Sequence, residues 1–198
     1  SFRIPDFLYI SVASLASVTV LMPFLADKIN KSKEEAKMFL NNVFTVFMIF
    51  MVLISIVIFI FMPYLSKVIA PGFNDEQLKL LISTSRIMLL SPVFIGLSNL
   101  IGTITQLFKN FLIFSLSPIF YNLGILFGVL FLYKKIGIYG LAVGVILGAL
   151  MHLLVQVPTV LKNNFFPNFI KKIDWKEIKN VIKLSLPRTL TLSSNNLA

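Results

Sequence analysis

The chain has no cysteine. That excludes a disulfide framework, a thiolate metal site and thiol chemistry. Its one histidine cannot by itself build a metal centre. Charge is scarce as well: 13% of the 198 residues are Asp, Glu, Lys or Arg, against about 25% in soluble domains. So few polar groups cannot cover the surface of a soluble enzyme. The hydrophobic share of 57% excludes intrinsic disorder. No GxGxxG, P-loop, HExxH or GxSxG string occurs, so nothing points to nucleotide hydrolysis or acyl-transfer chemistry. The chain reads as no enzyme and calls for no cofactor.

What is present is long apolar sequence. Five stretches carry no charged residue: Phe7–Ala26 (20 residues), Met38–Ser66 (29), Ile87–Phe108 (22), Phe111–Tyr133 (23) and Ile136–Leu161 (26). At about 1.5 Å per residue, each crosses a hydrocarbon core about 30 Å thick as a helix. Only helices and closed barrels satisfy their backbone in lipid, and barrel strands would be short and alternating. The expected fold is therefore all-α, a polytopic transmembrane bundle. Its spans fall at about 7–26, 38–64, 87–108, 111–133 and 136–161. Residues 186–198 look like the start of a further span. The chain opens at Ser1 with no signal-peptide pattern and reads as a piece of a longer protein.

The net charge of +10 would suggest nucleic acid in a soluble protein. Here the lysines sit in the loops, so no nucleic-acid partner is expected. Eleven fall on one side: Lys28, Lys31, Lys33 and Lys37, then Lys109, then Lys162, Lys171, Lys172, Lys176, Lys179 and Lys183. Four fall on the other: Lys67, Lys79, Lys134 and Lys135. The positive-inside rule makes the first side cytoplasmic. Within that side, Asp174 and Glu177 have capping-box spacing. Trp175, Ile178, Val181 and Ile182 recur at helical spacing among lysines. Residues 174–185 are thus expected to form an amphipathic helix on the membrane surface, in contact with membrane lipids.

Acidic residues are absent from all five runs, so the intramembrane carboxylate common in ion-driven transporters is missing there. The third run carries a polar stripe, Pro92, Gly96, Asn99, Gly102/Thr103 and Gln106, recurring every three or four residues along one helix face. It reads either as a cavity wall or as a helix-packing surface. Gly140, Gly144 and Gly148 in the fifth run, and Gly124 and Gly128 in the fourth, are spaced by four and let helices approach closely. His152 and Gln156 continue the fifth-run series. His152 is read as a buried, hydrogen-bonded residue, with a proton relay as the alternative. Ser11, Ser14 and Ser17 share a face of the first run. Arg3 and Arg86 stand at membrane boundaries, where an arginine either anchors to head groups or grips a diphosphate bidentately. Pro23, Pro63, Pro92, Pro118 and Pro158 can each bend or end a helix.

Several strings occur in a telling order. Phe2-Arg3-Ile4-Pro5-Asp6-Phe7-Leu8 opens the chain, and Pro23-Phe24-Leu25-Ala26-Asp27 closes its first run. Ile69-Ala70-Pro71-Gly72-Phe73, Arg86-Ile87-Met88, Ser117-Pro118-Ile119-Phe120-Tyr121-Asn122, Gln156-Val157-Pro158 and Ser185-Leu186-Pro187 follow. Together they resemble helices two to six, and the start of seven, of the MurJ/MviN family in the MOP exporter superfamily. The resemblance implies a MATE-like partial N-terminal lobe of a lipid II flippase in the bacterial inner membrane. The substrate would be an undecaprenyl-diphosphate-linked head group, moved by alternating access in peptidoglycan biogenesis, with cell-wall synthesis machinery as a possible partner. Arg3, at a basic family position, is then expected to bind substrate, with Ser14, Asn99 and Gln106 of the polar faces described above lining its path. Family members typically follow Leu-Leu with Arg-Arg and then Ala-Glu-Gly-Ala. This chain has Tyr9-Ile10 and Ala13-Ser14-Leu15-Ala16 there. Two rivals therefore stand beside this reading: an exporter of another polyprenyl-linked saccharide, and a non-transporting membrane scaffold.

Overall fold

A computed structural model describes residues 18–183. Arg3, Ser14, most of the first expected span and the segment from residue 186 lie outside the described residues. Helix α1 is Val18–Lys31. Helix α2 is Lys33–Ile69, α3 Asp75–Leu107, α4 Phe111–Ile136 and α5 Ile138–Lys162. Helix α6 covers residues 175–183. No strand occurs among the described residues. The four helices α2 to α5 are each long and apolar enough to cross a membrane, and the protein is an all-α membrane protein.

Caps fix where these helices begin. Ser32 Oγ accepts from Glu35 N at 3.0 Å and starts α2. Asn74 and Gln77 form a reciprocal capping box at the start of α3, satisfying two donors that a helix start leaves open. Prolines fix where the helices break. A proline lacks N–H and its ring clashes with the carbonyl four residues back. For Pro92 that residue is Met88, where the first part of α3 stops (Asp75–Met88), before Leu90–Leu107 resumes. For Pro158 it is Leu154, the last residue of the Ile138–Leu154 part of α5. Pro63 lies inside α2 without ending it.

Two helix ends on the lysine-rich side close in the same way. Lys109 and Asn164 both adopt left-handed backbone, with φ of 59° and 55°. Asn110 N donates to Thr105 O at 3.0 Å, and Phe165 N to Val160 O at 3.0 Å. This is the Schellman closure, which satisfies carbonyls that a helix end leaves open. The apolar contact that usually accompanies it is here Phe108 against Phe165, edge to face at 5.2 Å.

The main core sits at this end. Leu25 of α1, Phe39 and Leu40 of α2, Leu100 and Ile104 of α3 and Val160 of α5 pack together with Phe165. Ile178 and Val181 of α6 join the same cluster. The α1–α2, α3–α4 and α5–α6 links, in and beside which the eleven lysines lie, are thus brought to one end of the bundle. At the other end, Ser83 of α3 and Tyr139 of α5 share a hydrogen bond of 2.9 Å.

Candidate functional site

The polar stripe of α3 does not meet a single neighbour. Gly96 faces the ring of Phe47 on α2; a Cβ there would stand 3.2 Å from Phe47 Cε1. Gly102 faces α4 and α5, where a Cβ would stand 3.0 Å from both Phe114 Cε2 and Gln156 Oε1. Thr103 Oγ1 turns back onto Asn99 O at 3.1 Å, and Gln106 Nε2 onto Gly102 O at 3.4 Å. Asn99 and Gln106 are half-buried. The split arises because α3 is enclosed by α1, α2, α4 and α5, so a stripe along it passes from one neighbour to the next.

Besides the Ser83–Tyr139 bond at the far end, α3 is joined to α5 through Ser98, which lies outside that stripe. Ser98 is fully buried. Its Oγ lies 2.6 Å from His152 Nδ1 and 3.0 Å from His152 O. Gln156 Nε2 donates to the same Oγ at 2.7 Å and to Ser98 O at 3.3 Å. A hydroxyl has one hydrogen to give and two lone pairs. With its hydrogen on the His152 carbonyl, the lone pairs take Gln156 Nε2–H and His152 Nδ1–H, and the group is saturated. That assignment makes Nδ1 the protonated nitrogen of the neutral ring. Gln156 is fully buried and its Oε1 has no partner among the described residues. Ser91, Ser98 and Thr105, all buried, recur every seven residues, and that spacing was the available signal for this seam.

Helices α4 and α5 meet backbone to backbone along five glycines. A Cβ on Gly124 would run into the backbone of Gly148, and one on Gly144 would stand 2.6 Å from Gly128 Cα. Gly140 faces Leu132 and Gly148 faces Tyr121 O. The helix takes a π turn over Gly128–Leu132, alongside this contact.

A second polar constellation lies on the lysine-rich side. Asn41, Asn42 and Thr45, about two to three turns into α2, hold the chain that follows α5. Asn41 Oδ1 accepts from Asn168 N at 2.8 Å, and Thr45 Oγ1 from Ile170 N at 3.0 Å. Asn42 accepts from Asp174 N at 3.1 Å and donates to Asp174 O at 2.9 Å. Asp174 Oδ1 caps α6, accepting from Lys176 N at 2.9 Å and Glu177 N at 3.2 Å. The reciprocal half of the expected capping box is absent. Asn42 takes the Asp174 N–H, and Glu177 instead pairs with Lys28. The sequence reading missed all three α2 residues, although they are the polar positions at the head of an otherwise apolar run. Nearby, a hydrogen bond from the exposed Lys31 to Asp27, helped by that carboxylate's charge, raises the ammonium's pKa above its ordinary value.

Arg86 does not point away to head groups. Its Nε donates to Phe59 O at 3.2 Å, and its guanidinium lies 4.4 Å from the centre of the Phe59 ring. No group of three His, Cys, Asp or Glu residues among the described residues is placed to hold a metal ion.

The family model described as Lipid II flippase MurJ matches residues 1–198. A probable lipid II flippase MurJ of Buchnera aphidicola subsp. Acyrthosiphon pisum is 32% identical over 210 residues, covering 100% of this chain and 40% of the relative. The lipid II flippase MurJ of Burkholderia cenocepacia is 26% identical over 202 residues, covering 98% of this chain and 39% of the relative. A probable lipid II flippase MurJ of Borreliella burgdorferi is 29% identical over 164 residues, covering 83% of this chain and 32% of the relative. The chain thus spans about two fifths of the length of the first of these relatives. With a family match along its whole length, and helices of membrane-crossing length where four of its five apolar runs lie, the chain belongs to the lipid II flippase MurJ family.

Proposed function

We propose that this chain is part of a flippase that carries the lipid II head group across the bacterial inner membrane during cell-wall biogenesis. The whole-chain family match carries this reading. The substrate is anionic at its diphosphate. Arg3, at a basic family position, grips that group with its planar fork, while Ser14, Asn99 and Gln106 line the path of the polar head group. Alternating access requires rigid blocks that rock against each other. The glycine contact of α4 and α5 suits one such block. The proline breaks after Met88 and Leu154 provide bends beside it. Contact with the cell-wall synthesis machinery belongs to the same proposal.

The test is complementation by the full-length gene in cells depleted of their own flippase. Lipid II translocation and growth are expected to return, and Arg3→Ala to abolish both at normal expression. Lack of rescue despite normal membrane insertion counts against the reading. One observation favours a second substrate class: Tyr9-Ile10 and Ala13-Ser14-Leu15-Ala16 stand where the family resemblance places two arginines and a glutamate. Export of another polyprenyl-linked saccharide, with no rescue of lipid II translocation, would select that alternative.

A further inference from the structure

The chain from the end of α5 into the first turn of α6 carries three large side chains that the protein leaves uncovered. Phe166 is 46% exposed, Phe169 66% and Trp175 59%. Large apolar groups in a loop normally find cover. Helix α5 ends at Lys162, so Phe166 follows a membrane-crossing helix by one turn's length of chain. Lys162, Lys171, Lys172, Lys176, Lys179 and Lys183 are exposed through the same stretch. Its two acids are engaged elsewhere: Asp174 caps α6 and Glu177 is held by Lys28. The ion pairs among the described residues are Lys28–Glu177 and Lys31–Asp27, so none of these six lysines has a carboxylate partner among them. Lys33 and Lys37 extend the basic surface, each 5.8 Å from the Phe165 ring. The periodicity of α6 would send its apolar stripe to the bilayer. That stripe is already spent on the core, through Ile178 and Val181.

We propose that the α5–α6 link, together with the exposed face of α6, is a docking surface for the anionic phospholipid head groups of the leaflet that α5 enters. Trp175, with one wet and one apolar end, suits head-group level, and the apolar rings of Phe166 and Phe169 add area to bury beside it. Ammonium groups beside them draw in the lipid phosphates. Charge decides the occupant. Uncovered rings alone would suit any apolar partner, but a surface where six exposed lysines outnumber two acids, one of them paired with Lys28, selects an anion. The end of the crossing helix puts the bilayer's own phosphates closest. The surface belongs to the link itself, so it stands whether or not lipid II is the cargo.

Trp175 is the chain's single tryptophan. In the full-length protein, the fluorescence difference between wild type and Trp175→Phe therefore isolates its signal. The protein is reconstituted in phosphatidylcholine vesicles doped with brominated phosphatidylcholine or brominated phosphatidylglycerol. Both lipids are expected to quench Trp175, with the glycerol lipid about fivefold more effective per mole, the ratio one well-placed lysine supplies. Replacing Lys171, Lys172, Lys176 and Lys179 together by Gln is expected to erase that preference. Phe166→Ser is expected to weaken quenching by both. Equal quenching by the two lipids overturns the proposal. So does quenching by aqueous iodide with none from lipid, the result if water or a protein partner occupies the face. Displacement of the lipid by inorganic phosphate overturns it too, because it marks a site for a soluble anion.

Discussion

Arg86 donates Nε–H to the carbonyl of Phe59 at 3.2 Å. That carbonyl stands four residues before Pro63, so it has lost its helical donor to the proline ring. In an apolar setting an unmet carbonyl is costly, and α3 supplies the missing hydrogen from outside. The relationship explains how Pro63 can sit inside a helix that runs unbroken from Lys33 to Ile69. It also gives Arg86 a structural role, distinct from head-group anchoring.

Arg86→Ala is therefore expected to lower stability by about 1–3 kcal/mol, the cost of leaving a carbonyl without its donor in an apolar setting. In a Pro63→Ala background, residue 63 regains its N–H and can serve Phe59 itself. The loss on removing Arg86 should shrink there. Thermal unfolding of the four proteins in detergent forms a double-mutant cycle. Equal losses in both backgrounds would show that the bond does not compensate for the proline.

The glycine seam makes a sharper steric prediction. Gly144→Ala brings a Cβ to 2.6 Å from Gly128 Cα, with only backbone to yield. Overpacking of this kind costs about 1–3 kcal/mol. Gly72→Ala meets nothing within 4 Å and its backbone is not left-handed, so it should stay within about 0.5 kcal/mol. Melting temperatures of the two variants, compared in one detergent, decide the matter. Similar tolerance at both positions would mean that α4 and α5 lie further apart than described.

Lys109 offers a change in the opposite direction. Its φ of 59° is a conformation that costs an ordinary residue about 1–2 kcal/mol. Glycine removes that cost but gives some back through its freer unfolded chain. Lys109→Gly should thus gain about 0.5–1 kcal/mol. Lys109→Gln removes the charge and keeps the Cβ, so it should gain nothing. A rise in melting temperature for both would assign the effect to charge instead of backbone.

The clamp on the α5–α6 link can be read by proteolysis. Asn42 bonds both the N–H and the C=O of Asp174, whereas Lys28 bonds only the Glu177 side chain. Asn42→Ala should therefore free the link more than Lys28→Met does. Lys171 and Lys172 are exposed trypsin sites, and their cleavage rate reports the opening. Lys28→Glu should speed cleavage, and adding Glu177→Lys should restore it. Faster cleavage in Lys28→Met than in Asn42→Ala would reverse the assigned order.

The helices were legible because lipid leaves the backbone few options. An apolar run of membrane length must close its hydrogen bonds within itself, and Met38–Ser66 lies within α2 for that reason. The break after Leu154 was also within reach, since Pro158 dictates it by counting back four residues. The partners across helices were not. Periodicity along α3 drew attention to Asn99 and Gln106, yet the side chain that meets His152 and Gln156 of α5 is Ser98. A serine in an apolar run looks the same whether it bonds its own helix, as Ser117 does, or its neighbour. Asn42 was silent for the same reason: its partner lies 132 residues away. Helical spacing placed Ile178 and Val181 on one face of α6, but it carried no sign that α1 and α2 cover that face.

The Ser98 seam provides the last prediction. Ser98→Ala removes the atom that meets His152 Nδ1 at 2.6 Å and Gln156 Nε2 at 2.7 Å. It leaves a buried amide and an imidazole nitrogen each short of a partner. A loss of about 1–3 kcal/mol follows. His152→Ala strands only one side of the hydroxyl, because Gln156 still donates to it. Groups sharing one network do not add independently. In a His152→Ala background the loss on Ser98→Ala should therefore shrink by at least about 0.5 kcal/mol. Gly102→Ala perturbs the same amide from its other end, with a Cβ 3.0 Å from Gln156 Oε1. It should lower the melting temperature while leaving the Ser98–His152 coupling intact. Strict additivity of Ser98→Ala and His152→Ala would mean that the two side chains do not share the hydrogen bond on which the α3–α5 contact is built.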